Sequence, residues 1–140
     1  MLRRYSMVAV PDPQKPPDET EDGLSLTGIE TVERMKPELF ATGLTPCQER
    51  CFSEVLTDMS GPQPMLRLLQ GEVGSGKTAV AFLSLMAVVL SKWQGALVSP
   101  TEVLARQHYA KFKQWIDASS ILRNKPNVRL LTGSTTNKER

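Results

Sequence analysis

The stretch GEVGSGKT at residues 71–78 sets Gly71, Gly76, Lys77 and Thr78 in the pattern G-x-x-x-x-G-K-[ST], after the apolar run MLRLL at 65–69 and before a long apolar segment. A tight loop between a strand and a helix is the setting that suits it. Glycines let the backbone curl until successive amide hydrogens converge, and the new helix adds its positive end. A loop of this kind holds an anion. Its spacing points to the phosphates of a nucleotide: Gly71, Gly74, Ser75 and Gly76 form the cradle, Lys77 lies along the β and γ phosphates, and Thr78 holds Mg²⁺ through its hydroxyl. Lys77 and Thr78 are therefore the candidate catalytic residues. A glycine-rich turn with an exposed lysine is the bland alternative, but it gives no reason for lysine and threonine at those two positions.

The flanking pattern predicts the architecture. MLRLL at 65–69, GALVS at 95–99 and NVRLL at 127–131 read as strands, with helices over about 77–91 and 100–118 between them. Strand, helix, strand, helix, strand implies an α/β fold in which a parallel sheet is flanked by helices. Almost every position from Ala79 to Leu90 is apolar, so that helix is expected to be covered on most sides. A further helix begins at TPCQ, with Cys47, Cys51, Phe52, Val55, Leu56 and Met59 on one face and Gly61, Pro62 and Pro64 to stop it. Both cysteines are expected in the core. A short helix from Gly28 to about Met35 is expected to end at Pro37. Residues 8–23 are rich in proline and acid and poor in apolar side chains, which predicts a flexible lead over 1–27 and one partial domain over 28–140.

Seventeen Lys and Arg against fifteen Asp and Glu leave a net charge of +2, too little to argue for a nucleic-acid partner from global charge. Two cysteines and one histidine cannot build a disulfide framework or a zinc site. The apolar run 83–90 is far shorter than the ~20 residues of a membrane span, and there is no signal-peptide layout. These features predict an intracellular protein that does not enter membranes. The residues of MLRRYSMVAV could begin an organelle address, but acids at Asp12, Asp18 and Glu19 follow closely.

Two helix starts carry a double meaning. In SPTE, Ser99 can cap, Pro100 suits the first helical position and Glu102 completes a capping box; the same helix start leaves free amides and the Thr101 hydroxyl able to grip a nucleic-acid phosphate. In TPCQ, Thr45 caps and Gln48 completes the box, or the Gln48 amide reads an adenine edge. His108, Tyr109 and Trp115 share an apolar stripe and read as core, while Arg106, Lys111 and Lys113 read as a solvated face.

Taken together, LTPCQ, PMLRLLQGEVGSGKTAVA, SPTEVLARQH and LLTGS resemble the opening motifs of a superfamily 2 DNA helicase of the RecG branch-migration type, over about residues 40–140. The resemblance implies a RecA-like domain that uses ATP and Mg²⁺, with Gln48 reading adenine, Gly74 to Thr78 binding phosphate and Mg²⁺, and Thr101 contacting the DNA backbone. It also implies branched or single-stranded DNA as partner, a monomer, a role in DNA repair and recombination, and residence in the cytoplasm or in a DNA-containing organelle such as a plastid or mitochondrion. The family's acidic box is missing: the pair Asp18 and Glu19 precedes the loop, and Asp117 lies in a helical pattern. The expectation is therefore an incomplete RecA-like domain that binds nucleotide without efficient turnover. A small P-loop kinase and a non-catalytic nucleotide-binding module are the alternatives, the first disfavoured by SPTEVLA after the second strand.

Overall fold

A single helix organises the chain, and it starts at the glycine loop. In the computed structural model, which describes residues 5–10 and 24–133, the elements are β1 (Tyr5–Val10), α1 (Leu26–Leu39), α2 (Pro46–Met59), α3 (Lys77–Leu90), β2 (Gly95–Ser99), α4 (Glu102–Ala118) and β3 (Asn127–Leu131). No residue of α3 is exposed, as its continuous apolar sequence requires. Helices α1 and α2 pack on α3, and α4 packs on the strands. The core joins Val32 and Met35 of α1, Phe52 of α2, Phe82 and Leu83 of α3, and Phe112 of α4. Phe82 is its hub: it meets Phe112 edge-on at 4.9 Å and Trp115 at 4.8 Å.

The sheet departs from expectation. Its order is β2-β1-β3, and β1 pairs antiparallel with both neighbours, Tyr5 opposite Ser99 and Ser6 opposite Leu131. Because β2 and β3 both oppose β1, they run in the same direction as each other, as a strand–helix–strand crossover demands. The parallel pairing expected between them is replaced by β1, which fills the gap. The flexible lead expected over 1–27 is thus corrected at 5–10, which form a strand, and at its end, where α1 begins at Leu26; residues 11–23 lie outside the described residues. Residues 65–69 are not a strand. Among the described residues they have no strand partner, Leu66 and Leu68 are exposed, and only Leu69 reaches the core. Arg67 instead ties the segment to α2 through Asp58, at 2.7 Å, and Glu54. Strand β2 alternates between covered and open positions, with Val98 on the open side.

Two helix boundaries move for local reasons. Helix α1 runs through Pro37 to Leu39, because a proline in the last turn forfeits one hydrogen bond while the Phe40 amide still closes on the Lys36 carbonyl at 2.8 Å. Helix α4 is capped by Thr101 rather than Ser99: the Thr101 hydroxyl accepts from the Leu104 amide at 3.3 Å, and Ser99 ends β2. Cys51 is half-buried against the core as expected, but Cys47 is exposed. It stands in the first turn of α2, before the helix dips under its neighbours.

A carboxylate joins the two ends of the helical layer. Glu38 accepts from the Ser120 amide at 2.7 Å and from the Ser119 hydroxyl at 2.8 Å. Hydrogen bonds from the Ser120 side chain and amide, and then from Ser119, hold the Glu38 carboxyl below its ordinary value of 4.5. A carboxyl lowered by folding adds stability that is fully present above the unfolded value and is lost as pH falls through the folded one. Urea unfolding should therefore find Glu38→Gln less stable than the parent at neutral pH, with the gap closing in acid below pH 4.5. A gap that stays constant down to the acid limit would remove Glu38 from this role.

Candidate nucleotide-binding site

Capping chemistry on one helix and backbone conformation on the next bring the candidate residues together. Thr45 and Gln48 form a complete capping box at the start of α2: the Thr45 hydroxyl accepts from the Gln48 amide at 3.3 Å, and Gln48 Oε1 accepts from the Thr45 amide at 2.8 Å. The other end of the same side chain reaches the glycine loop, where Gln48 Nε2 donates to the Ser75 carbonyl at 2.8 Å. One side chain thus spans from helix cap to loop. It retains a second lone pair and a second N–H for another partner.

The loop has the curl that its sequence predicts. Gly74 and Gly76 have φ of 84° and 83°, a left-handed conformation that side-chain-bearing residues avoid. Gly76 is doubly constrained, since a Cβ there would run into the Gln48 amide nitrogen. Residues 71–75 are exposed, and Gly76 is the residue from which α3 departs, with no side chain capping it. The first amides of α3 therefore face the loop rather than a side-chain acceptor. Lys77 folds back over the loop and donates to the carbonyls of Gly71 at 2.7 Å and Glu72 at 2.6 Å. Its ammonium group is thus placed among oxygen acceptors at the mouth of the loop.

Gln48, Gly74, Gly76, Lys77 and Thr78 all line one open cleft of about 660 Å³. Gly71 and Ser75 line a smaller neighbouring opening of about 310 Å³ that shares Gln48 and Lys77. Thr101 lines neither; it stands apart at the start of α4, exposed. Its hydroxyl oxygen accepts the Leu104 amide, which leaves its O–H to donate elsewhere. The cleft also includes residues the sequence did not single out for it: Phe40 and the turn at Gly43, then Lys111 and Trp115 of α4. Trp115 serves both sides, packing on Phe82 and Phe40 while facing the cleft, and Lys111 Nζ sits 5.2 Å from its ring centroid. The i,i+4 spacing of Lys111 and Trp115 is the one sequence signal that could have paired them.

The donor set bears on Mg²⁺. Among the described residues no group of three or more His, Cys, Asp or Glu could hold a metal ion. Thr78, in the first turn of α3, lines the cleft with a hydroxyl. One protein oxygen completed by phosphate oxygens and water fits the way Mg²⁺ is bound beside nucleotides.

A glycine loop at a helix start, with a lysine over it and a glutamine bridging to it, is set in an α/β fold. The sequence profile of the DEAD/DEAH box helicase family matches residues 45–140, more than half of the chain, and the chain belongs to that family. Within it, the chain is similar to RecG proteins. It is 53% identical over 93 residues to "ATP-dependent DNA helicase RecG" of Aquifex aeolicus, covering 66% of this chain and 11% of that protein. It is 50% identical over 101 residues to the protein of the same name from Bacillus subtilis, covering 69% and 14%. With "ATP-dependent DNA helicase homolog RECG1, chloroplastic/mitochondrial" of Arabidopsis thaliana it shares 48% over 96 residues, covering 69% and 10%. The chain spans about a tenth of the length of these curated relatives. No solved structure matches it.

Proposed function

We propose that this chain is the ATP-binding segment of a RecG-like ATP-dependent DNA helicase that acts on branched DNA in repair and recombination. The observation that carries the reading is the loop itself: two left-handed glycines, a helix start with no side-chain cap, and Lys77 laid across carbonyl oxygens where phosphate oxygens would stand. Gly71, Gly74, Ser75 and Gly76 give the phosphates their amides, and Lys77 gives them its charge. Thr78 holds Mg²⁺ by its hydroxyl; when bound, the ion neutralises charge on the phosphates.

Gln48 reads the base in this proposal. Its spare lone pair and spare N–H match the N6 donor and N7 acceptor of adenine, whereas guanine presents acceptors at both places. Thr101 contacts the DNA backbone through its free O–H while it caps α4, so the capping and binding roles coexist. A RecA-like arrangement is part of the proposal, supported by the common direction of β2 and β3. A DNA-containing compartment belongs to the same proposal, and the Arabidopsis relative carries "chloroplastic/mitochondrial" in its name. Among the described residues no helix is long and apolar enough to cross a membrane.

The test is a titration of the full chain with fluorescent ATP and GTP analogues in the presence of Mg²⁺. ATP should bind the more tightly, and Gln48→Ala, which also removes the bond to the Ser75 carbonyl, should weaken both nucleotides but cost ATP about tenfold more than GTP, the worth of one or two lost hydrogen bonds to the base. Equal binding of the two nucleotides by the parent chain would retire the base-reading role of Gln48. Absence of any binding would retire the whole proposal.

A further inference from the structure

The smaller opening beside the loop contains something the nucleotide reading does not use. Its near wall is the first turns of α2, where Cys47 and Cys51 stand one helical turn apart, and its far wall is Gly71, Ser75 and Lys77 of the glycine loop. Cys47 is exposed, Cys51 is half-buried, and neither is in a disulfide. At about 310 Å³ the opening matches the lower end of small-molecule sites, roughly 300 Å³. We propose that this dithiol-lined opening is a thiol-modification site, taking a small anionic disulfide of the glutathione type, and that its occupation shuts the glycine loop to nucleotide. This regulation rests on the proposed nucleotide site.

Access and charge select the reagent. Cys47 is exposed and its sulfur accepts from Arg50 Nη2 at 3.8 Å, while Lys77 also lines the opening. One cation beside the exposed thiol and a second lining the same opening favour a partner that carries carboxylates over a neutral one. Cys51, half-buried, lines the same opening one turn further along α2. In the reaction, the Cys47 thiol gives up its proton and its sulfur attacks one sulfur of the oxidised tripeptide. The Cys47–glutathione bond forms as the original S–S bond breaks, and the departing glutathione sulfur takes the proton. No other oxidant is required, and a reducing thiol reverses the exchange.

Occupation affects the loop because the wall and the loop share a fastener. Gln48, the residue after Cys47, holds the Ser75 carbonyl at 2.8 Å and closes the α2 capping box. A tripeptide wedged between α2 and residues 71–75 breaks that bond and displaces the amides that face the phosphates.

The experiment treats the full reduced chain with oxidised glutathione, maps the adduct by peptide mass spectrometry, and titrates a fluorescent ATP analogue before and after. The adduct should map to Cys47 and weaken nucleotide binding about tenfold or more, the cost of losing a charge-assisted hydrogen bond. Dithiothreitol should restore it. Cys47→Ser and Cys47→Ala, checked for fold by circular dichroism, should bind nucleotide like the parent and resist glutathione, whereas Cys51→Ser should remain sensitive. An adduct found only at Cys51, an adduct at Cys47 with unchanged affinity, or continued sensitivity of both Cys47 variants overturns the proposal. If the reduced chain binds no nucleotide, it is the function reading that fails. Hydrogen exchange at the amides of residues 74–76 then decides this one: faster exchange in the Cys47 adduct supports it, and unaltered exchange overturns it.

Discussion

Lys77→Ala should weaken Mg²⁺-ATP binding about a hundredfold or more, since it removes at least two charge-assisted hydrogen bonds to phosphate worth roughly 1.5–3 kcal/mol each. The same change should leave folding almost untouched, within about 0.5 kcal/mol, as is usual for a side chain that makes only exposed contacts. Its ammonium bonds only to exposed loop oxygens, the Gly71 and Glu72 carbonyls and the Ser75 hydroxyl at 3.4 Å. The combination discriminates: a binding defect with an unchanged denaturation midpoint marks a ligand contact, whereas loss of both marks a structural lysine. A fluorescent-nucleotide titration and a urea melt on the same samples read both quantities. Unchanged affinity would refute the assignment of Lys77.

Phe82→Ala should have the largest effect on folding, about 3–5 kcal/mol, the range for deleting a buried aromatic ring from a core. Phe82 is 1% exposed and is the shared contact of Phe112 and Trp115. It stands one turn beyond the residues of α3 that line the cleft, so the void left by its ring lies directly behind the site. Nucleotide affinity should fall with stability and recover in part with a stabilising co-solvent. A midpoint shift worth less than about 1 kcal/mol, the typical cost of an ordinary substitution, would show that the aromatic cluster does not organise the fold. Opposite profiles are thus expected from two residues only five positions apart: Lys77 governs binding alone, and Phe82 governs the fold on which binding depends.

What the sequence made legible was what local chemistry decides. The glycine loop, the capping box of Thr45 and Gln48, and the burial of α3 follow from residue type and spacing within a few positions, and they stand as expected. Pairing was less legible, because a strand needs a partner as well as a pattern. MLRLL has the composition of a strand, yet it finds no neighbour among the described residues, whereas residues 5–10 precede a proline-rich stretch and still fill the place between β2 and β3. The cap of α4 moved from Ser99 to Thr101 for a related reason: both can cap, and the strand claimed Ser99. Trp115 packs on the core as expected and also lines the cleft, whereas Cys47 was misjudged because helical periodicity assigns a face but not how far along the helix that face stays covered. The α2 stripe is open at its first turn and buried a turn later, and the α4 stripe turns its last aromatic toward the cleft.

The posture of Lys77 has an energetic corollary. Its ammonium group rests on two peptide oxygens, so an oxyanion entering the proposed site would substitute one set of acceptors for another instead of stripping the charge of water from scratch. Such an exchange spares the incoming guest much of the dehydration cost that a fully hydrated lysine would impose. It also liberates the carbonyls of Gly71 and Glu72, so that grasping a guest loosens the very segment that grasped it.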